Sequence, residues 1–251
     1  MVSWPSLGTR VTVRYRRPAG SVPPLTDAVG HLLAVDPVVR VRTKTGAVAE
    51  FAAADVVALR VLTDAPVRTS AIRALECAAA AAWPGPAHAW LDGWLLRFGE
   101  AGLAPNSAVP LDISARFSSV PAIVAWYDRR GRSALLAIPD RLLTPPRTAV
   151  ADHTERVLVR DLGDLAAREP DPSAAPPGAA VTDAPDGTRW VGLSAPREDL
   201  LVWGASHGAT RAYIAVAQGD TATAGLADNL GFRRHHRRRY FDARSGGWDS
   251  V

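Results

Sequence analysis

The sequence predicts an α+β protein in which a small β-barrel precedes a mixed sheet flanked by helices, and three observations carry that prediction. Residues 1–62 hold five short apolar runs broken by turn residues, with no helical period. At Thr69 the pattern turns into an unbroken helical stretch, ending in SAIRALECAAAAAW. Beyond Trp90, β-like runs alternate with helix-length segments as far as Tyr240.

In the first region the runs are Arg10–Arg17, Ala28–Val35, Val38–Thr43, Ala47–Phe51 and Val56–Leu62. Pro18-Ala19-Gly20, Asp36-Pro37 and Thr45-Gly46 supply the turns. Five short strands in so small a span make an SH3-like barrel, assigned to residues 1–64. Trp4, Tyr15 and Phe51 offer such a barrel an aromatic surface for a peptide or nucleic acid. Packing against the rest of the chain, or dimerisation, accounts for the barrel equally well.

The helix from Thr69 stops at Trp83, because Pro84 disfavours helical geometry in the residue before it and Gly85 follows. A β-run follows Gly93 within Trp90–Phe98, and Asn106–Ile113 reads as a further strand. Ser118–Arg130 reads as a helix, with serines at its start, Pro121 in its first turn and Gly131 as its stop. Val120, Val124 and Tyr127 share one side of it. Ala134–Ile138 and Arg156–Asp161 are short strands. Residues 163–180 carry four prolines and little hydrophobic periodicity, which marks a linker or a break in the pattern.

With 47% apolar and 22% charged residues among 251, the chain has the composition of a soluble globular protein. No run of apolar residues is long enough to span a membrane, and the N-terminus lacks a signal-peptide layout, so a cytoplasmic location is expected. The single cysteine, Cys77, lies in the alanine-rich helix and reads as a small buried hydrophobe. The net charge is only +4, yet Arg233–Arg239 holds five arginines and two histidines. Such a run attracts phosphates, but it reads more simply as a solvated edge strand. His235 and His236 are adjacent, which places them on opposite faces of that strand and gives no metal site. No glycine-rich nucleotide fingerprint and no Gly-x-Ser-x-Gly elbow occurs, so dehydrogenase and hydrolase readings have nothing to rest on.

Thr188–Ala195 (TRWVGLSA), Glu198–Ala209 (EDLLVWGASHGA), Thr210–Ala217 (TRAYIAVA), Asp220–Phe232 (DTATAGLADNLGF) and RRHHRRRYF give strand, helix, strand, helix, strand. This order, with its closing Leu-Gly-Phe, resembles the acyl-CoA-binding half of GNAT-type N-acetyltransferases. WLDGWLLRFGEAGLAPNSAVPL resembles a stretch of the N-terminal half, and the barrel is similar to one that precedes the catalytic region in some bacterial members.

The resemblance implies a GNAT-type sheet over residues 65–251, divided into 65–162, the linker or gap at 163–180, and an acyl-CoA-binding part at 181–251. It implies acetyl-CoA as co-substrate. Backbone groups of Leu193, Ser194 and Ala195 would hold the pantetheine arm, and Asp220 and Leu226 on the covering helix would lie along its other side. Asn106 and Ser107 would face the acceptor; a turn that caps the next strand explains both without function. The implied reaction is direct attack of a primary amine, on a small molecule or a protein, upon the thioester. Assembly as a homodimer stays open. No membrane partner is expected, and nucleic acid is disfavoured.

Three departures weigh on that implication. The loop of the form Arg/Gln-x-x-Gly-x-Gly/Ala, which would cradle the diphosphate on backbone N–H groups, is absent: Ala195 is followed at once by Pro196. Leu226-Ala227 stands where many members carry the tyrosine that protonates the leaving thiolate. Asp220 replaces a common asparagine, and an N-cap role accounts for it. The chain is therefore read as a catalytic member lacking residues at that junction and within 161–181. The alternative is an inactive scaffold that binds nucleic acid or a protein partner.

Overall fold

The computed structural model describes residues 4–248 apart from 6, 44, 63–66, 100–101, 166–174 and 246. The chain divides into two compact units, Met1–Pro66 and Val67–Val251.

In the first unit β1 (Arg10–Arg16), β2 (Leu25–Ala34), β3 (Val39–Thr43), β4 (Val48–Phe51) and β5 (Val56–Val61) form one antiparallel sheet in the order β4-β3-β2-β1-β5. Alternate residues point inward, as a half-buried strand requires: Val11, Val13, Ala28, Leu32, Val39, Val41 and Phe51 make the core. The expected aromatic surface is instead part of that core. Phe51 is buried, Tyr15 stacks on it with ring centroids 3.9 Å apart, and Trp4 packs against the same cluster.

The second unit holds nine strands: β6 (Ala87–Leu91), β7 (Trp94–Phe98), β8 (Ala108–Pro110), β9 (Leu135–Pro139), β10 (His153–Asp161), β11 (Ala179–Asp183), β12 (Arg189–Leu193), β13 (Arg211–Ala217) and β14 (Arg233–Asp242). Their order across the sheet is β11-β12-β13-β10-β14-β9-β8-β7-β6. The helices are α1 (Thr69–Ala82), α2 (Val120–Asp128), α3 (Glu198–Ser206) and α4 (Thr221–Asn229).

Two parallel pairs organise the sheet, and each is closed by a helix crossover: β8-α2-β9 and β12-α3-β13. The strand that follows each pair leaves it. β10 comes after β9 but pairs with β13, while β14 comes after β13 and α4 but pairs with β9. β10 and β14 then pair with each other, so the seam between the halves is built from exchanged strands.

The period of two divides the side chains cleanly between the faces. Trp94, Leu96, Leu136, Ile138 and Phe241 pack under α2, and Leu158, Leu193, Ile214 and Val216 under α3 and α4. Their sequence neighbours Leu95, Ala137, Val157, Val159 and Tyr213 turn to the other face, beneath α1. α1 ends where the Trp83-Pro84 step predicts, and α2 carries Pro121 in its first turn after a single 3-10 turn at Phe117–Ser119.

Some expectations change. The strand expected over Asn106–Ile113 is confined to Ala108–Pro110, because the residues before it form a 3-10 turn. The end of the expected linker is already strand β11, which pairs along the whole of β12. The basic run is no edge. β14 lies fifth of nine strands, between β10 and β9, so its alternate side chains are interior. Among the described residues no helix is long and apolar enough to cross a membrane.

Candidate functional site

β12 and β13 are paired from Trp190↔Arg211 to Leu193↔Ile214 and then part. Ser194–Arg197 bend away into α3, whereas β13 continues to Ala217 against β10 alone. Residues 215–217 have no strand on their other side among the described residues. A parallel pair that opens in this way exposes backbone donors and acceptors to an extended ligand. Gly192 permits the close approach behind it: a Cβ there would sit 2.3 Å from the Tyr213 hydroxyl, which crosses β12 at that point.

Under α1, beside this opening, lies a buried polar network on the seam strands. Arg238 on β14 holds Glu76 of α1 through Nε (3.1 and 3.2 Å) and Nη2 (2.9 Å). Its Nη1 reaches Glu155 Oε2 on β10 at 3.1 Å, and the Tyr240 hydroxyl donates to the same oxygen at 2.7 Å. His236 Nε2 stands 2.6 Å from Glu76 Oε1. Burial pushes the Glu76 carboxyl up, but the Arg238 charge and the His236 hydrogen bond more than offset it and hold it at about 2. The Arg238 cation is likewise held charged against its burial by Glu76, Tyr240 and Glu155. Glu155 lies opposite Ala217, on the strand next to the opening, and its side chain keeps 15% exposure where that of Glu76 keeps 3%.

The two histidines are not on opposite faces. The β10–β14 register slips between Val157↔His236 and Leu158↔Arg234, so His235 is the extra residue of a bulge and swings beside His236, their Nδ1 atoms 2.8 Å apart. Burial, then the charges of His236 and Arg211, push His235 down to about 4. Among the described residues no group of three or more potential ligands could hold a metal.

The residues expected from sequence fall in two places. Leu193 ends β12, Ser194 and Ala195 follow it, and Asp220 precedes α4 after β13, so the parallel pair brings them to one end of the sheet. Leu193 is buried among α3 contacts, and the Ser194 N–H is donated to the Gly178 carbonyl at 2.8 Å. Asp220 caps α4, its Oδ1 accepting the Thr223 N–H at 2.9 Å, and those hydrogen bonds lower its carboxyl. Leu226 stands on α4 with 57% exposure. Asn106 and Ser107 lie elsewhere, beside β8, four strands from β13. Asn106 accepts from the Gly99 N–H and donates to the Gly102 carbonyl, both at 2.9 Å, and Ser107 donates to the Ala104 carbonyl. Those bonds organise a turn. His207 closes α3, with Nδ1 2.8 Å from the Trp203 carbonyl.

Sequence reasoning missed Glu76, Glu155, Arg238 and Tyr240. Signals existed for two of them: Glu76 interrupts the apolar stripe of α1 one turn after Ile72, and Arg238 falls in phase with Tyr240 on a strand.

The second unit matches the family model described as "Probable histone acetyltransferase Rv0428c C-terminal" over residues 69–177 and 163–241, and residues 5–60 match "Rv0428c N-terminal Sm-like domain". The "Probable histone acetyltransferase Rv0428c" of Mycobacterium tuberculosis (strain ATCC 25618 / H37Rv) is 55% identical, with all of both chains covered. That alignment spans 307 positions against the 251 residues here, so the relative carries internal residues that this chain lacks. A GCN5-related N-acetyltransferase from Kribbella flavida resembles 73% of this chain and 99% of its own, at 11% identity and a TM-score of 0.45. The chain thus belongs to the acetyltransferase family of Rv0428c, with an Sm-like domain ahead of the acetyltransferase domain.

Proposed function

We propose that the chain moves an acetyl group from acetyl-CoA to a primary amine by direct attack, at the opening between β12 and β13. The observation that carries this is the parting of the two strands after Leu193 and Ile214, with a helix crossover on one side and α4 on the other. The residues fit the pantetheine arm: the 215–217 edge is unpaired, and Ala215 and Ala217 leave room along it. They do not fit the diphosphate. The first turn of α3 carries Glu198 and Asp199, and Arg197 is engaged by Asp199. No residue of 194–199 is assigned to the phosphates.

Acetyl-CoA supplies an activated thioester; the rest falls to the protein. The unpaired edge of β13 orients an extended ligand by backbone hydrogen bonds. Glu155 takes the proton from the amine. Its Oε2 is fixed by Arg238 and Tyr240, which leaves Oε1 to receive it, as a positioned base requires. The relative's name points to a protein acceptor, and the ε-amine of lysine in a histone-like basic protein is the proposed substrate.

Titration calorimetry with acetyl-CoA tests the cofactor, and saturable heat is expected; none at millimolar cofactor sinks the reading in favour of an inactive scaffold. Mass spectrometry of a core histone incubated with the protein and acetyl-CoA tests the acceptor. Glu155→Gln should keep cofactor affinity and lower the transfer rate by about 10²-fold or more.

A further inference from the structure

α1 has 14 residues, a length of about 21 Å, and packs on a sheet whose nine strands make it about 38 Å wide. Its buried face packs on β10, β12 and β13 and, through Ala80, on the seam and on β7, β8 and β9. Toward β6 the sheet extends beyond it, leaving a cavity of about 220 Å³ walled chiefly by Cys77 and Ala80 of α1, His88 and Trp90 of β6, and Leu95 and Arg97 of β7.

Arg97 does not suit an apolar wall. It is 4% exposed, and among the described residues its Nε has no hydrogen-bond partner while its Nη1 lies 3.5 Å from the Trp83 carbonyl. That distance is at the limit of a hydrogen bond. Among the described residues the carboxylate that acts on Arg97 is Glu76, and it is already bound to Arg238 and His236. Burial, then the charge of Arg238, work against the Arg97 cation. Glu76, Tyr240 and Tyr127 offset this only in part, and a buried cation with one marginal hydrogen bond is held at a cost that a counter-charge would lower.

We propose that this cavity is a binding site for a small organic anion, an apolar body ending in a carboxylate that pairs with Arg97. The guanidinium fork matches a carboxylate in geometry, and the alanine and leucine walls match an aliphatic or ring-shaped body. The site is separate from the β12–β13 opening, because β7 lies five strands from β13.

Benzoate and its neutral isostere benzamide are the probes. Calorimetric titration of the full chain should give saturable benzoate binding at least about tenfold tighter than benzamide. Benzoate should also slow alkylation of Cys77, the single cysteine, by iodoacetamide, and acetyl-CoA should not displace it. Arg97→Gln should remove the preference for the acid. Equal affinity for the two probes, no binding of either, or a preference that survives Arg97→Gln in a folded chain each overturns the proposal. If Arg97→Gln fails to fold, the comparison of acid with amide on the unmodified chain decides alone.

Discussion

The two parallel pairs of the second unit share a plan and differ in how they are filled. β8 and β9 touch at one register pair, Ala108↔Leu136, and Val109, Leu111 and Ala137 just past it are buried in one cluster with Tyr240 of β14. β12 and β13 hold four pairs before they part, and the segment beyond, at Ala215 and Ala217, carries small side chains. The same crossover therefore gives a closed wedge in one half and an open one in the other. Just past the last shared pair the first half buries Val109, Leu111 and Ala137, whereas the second leaves Ala215 in solvent.

The largest effect should come from the seam that joins the halves. Glu76→Ala leaves Arg238 buried without its main partner, and a loss of about 3–5 kcal/mol is expected in urea unfolding. Survival at full stability would mean that the exchanged strands hold the halves together without the network. Leu136→Ala, at the single bridge of the closed pair, should cost about 2–5 kcal/mol in the same measurement.

Gly192→Ala attacks the ordered part of the open pair. Its Cβ would collide with the Tyr213 hydroxyl, fixed beneath α1, and about 1–3 kcal/mol should be lost. Ala215→Asp, on the exposed stretch beyond, should change stability by no more than about 0.5 kcal/mol while weakening acetyl-CoA binding at least about tenfold. If it leaves binding untouched, the open wedge is not the cofactor site.

The pH dependence reads the seam more finely. His235 is lowered from an ordinary 6.5 to about 4, so between those values the unfolded chain binds a proton that the folded one refuses. Stability from this group is complete above pH 6.5 and falls as pH drops toward 4. Glu76, lowered from 4.5 to about 2, adds a further fall across that lower range. His235→Gln should flatten the upper limb and leave the lower one.

Much of the second half was legible. α3 follows β12 with Leu200, Leu201 and Trp203 buried, as their spacing requires, and Asp220 caps α4 as its position before Thr221 suggests. β11 was hidden because five residues of Ala, Val, Thr and Asp at the end of a proline-rich stretch carry too weak a period to stand out. The arginine run misled for a different reason. Composition reports how many charges a strand holds but not what lies opposite, and here Arg238 meets carboxylates from α1 and β10 that are remote in sequence.

The sequence by itself determined the alternation of strand and helix from Thr188 to Tyr240, the five short strands ahead of a helix-and-strand domain, and the family resemblance, because these rest on local periodicity, turn chemistry and short motifs. Only the tertiary structure decided that β10 and β14 change places, that a bulge turns His235 to the side of His236, and that one wedge is open and the other packed. Each of these depends on which strand lies next to which. Pairing of that kind is a long-range choice, settled when whole faces are buried together, and no local pattern carries it.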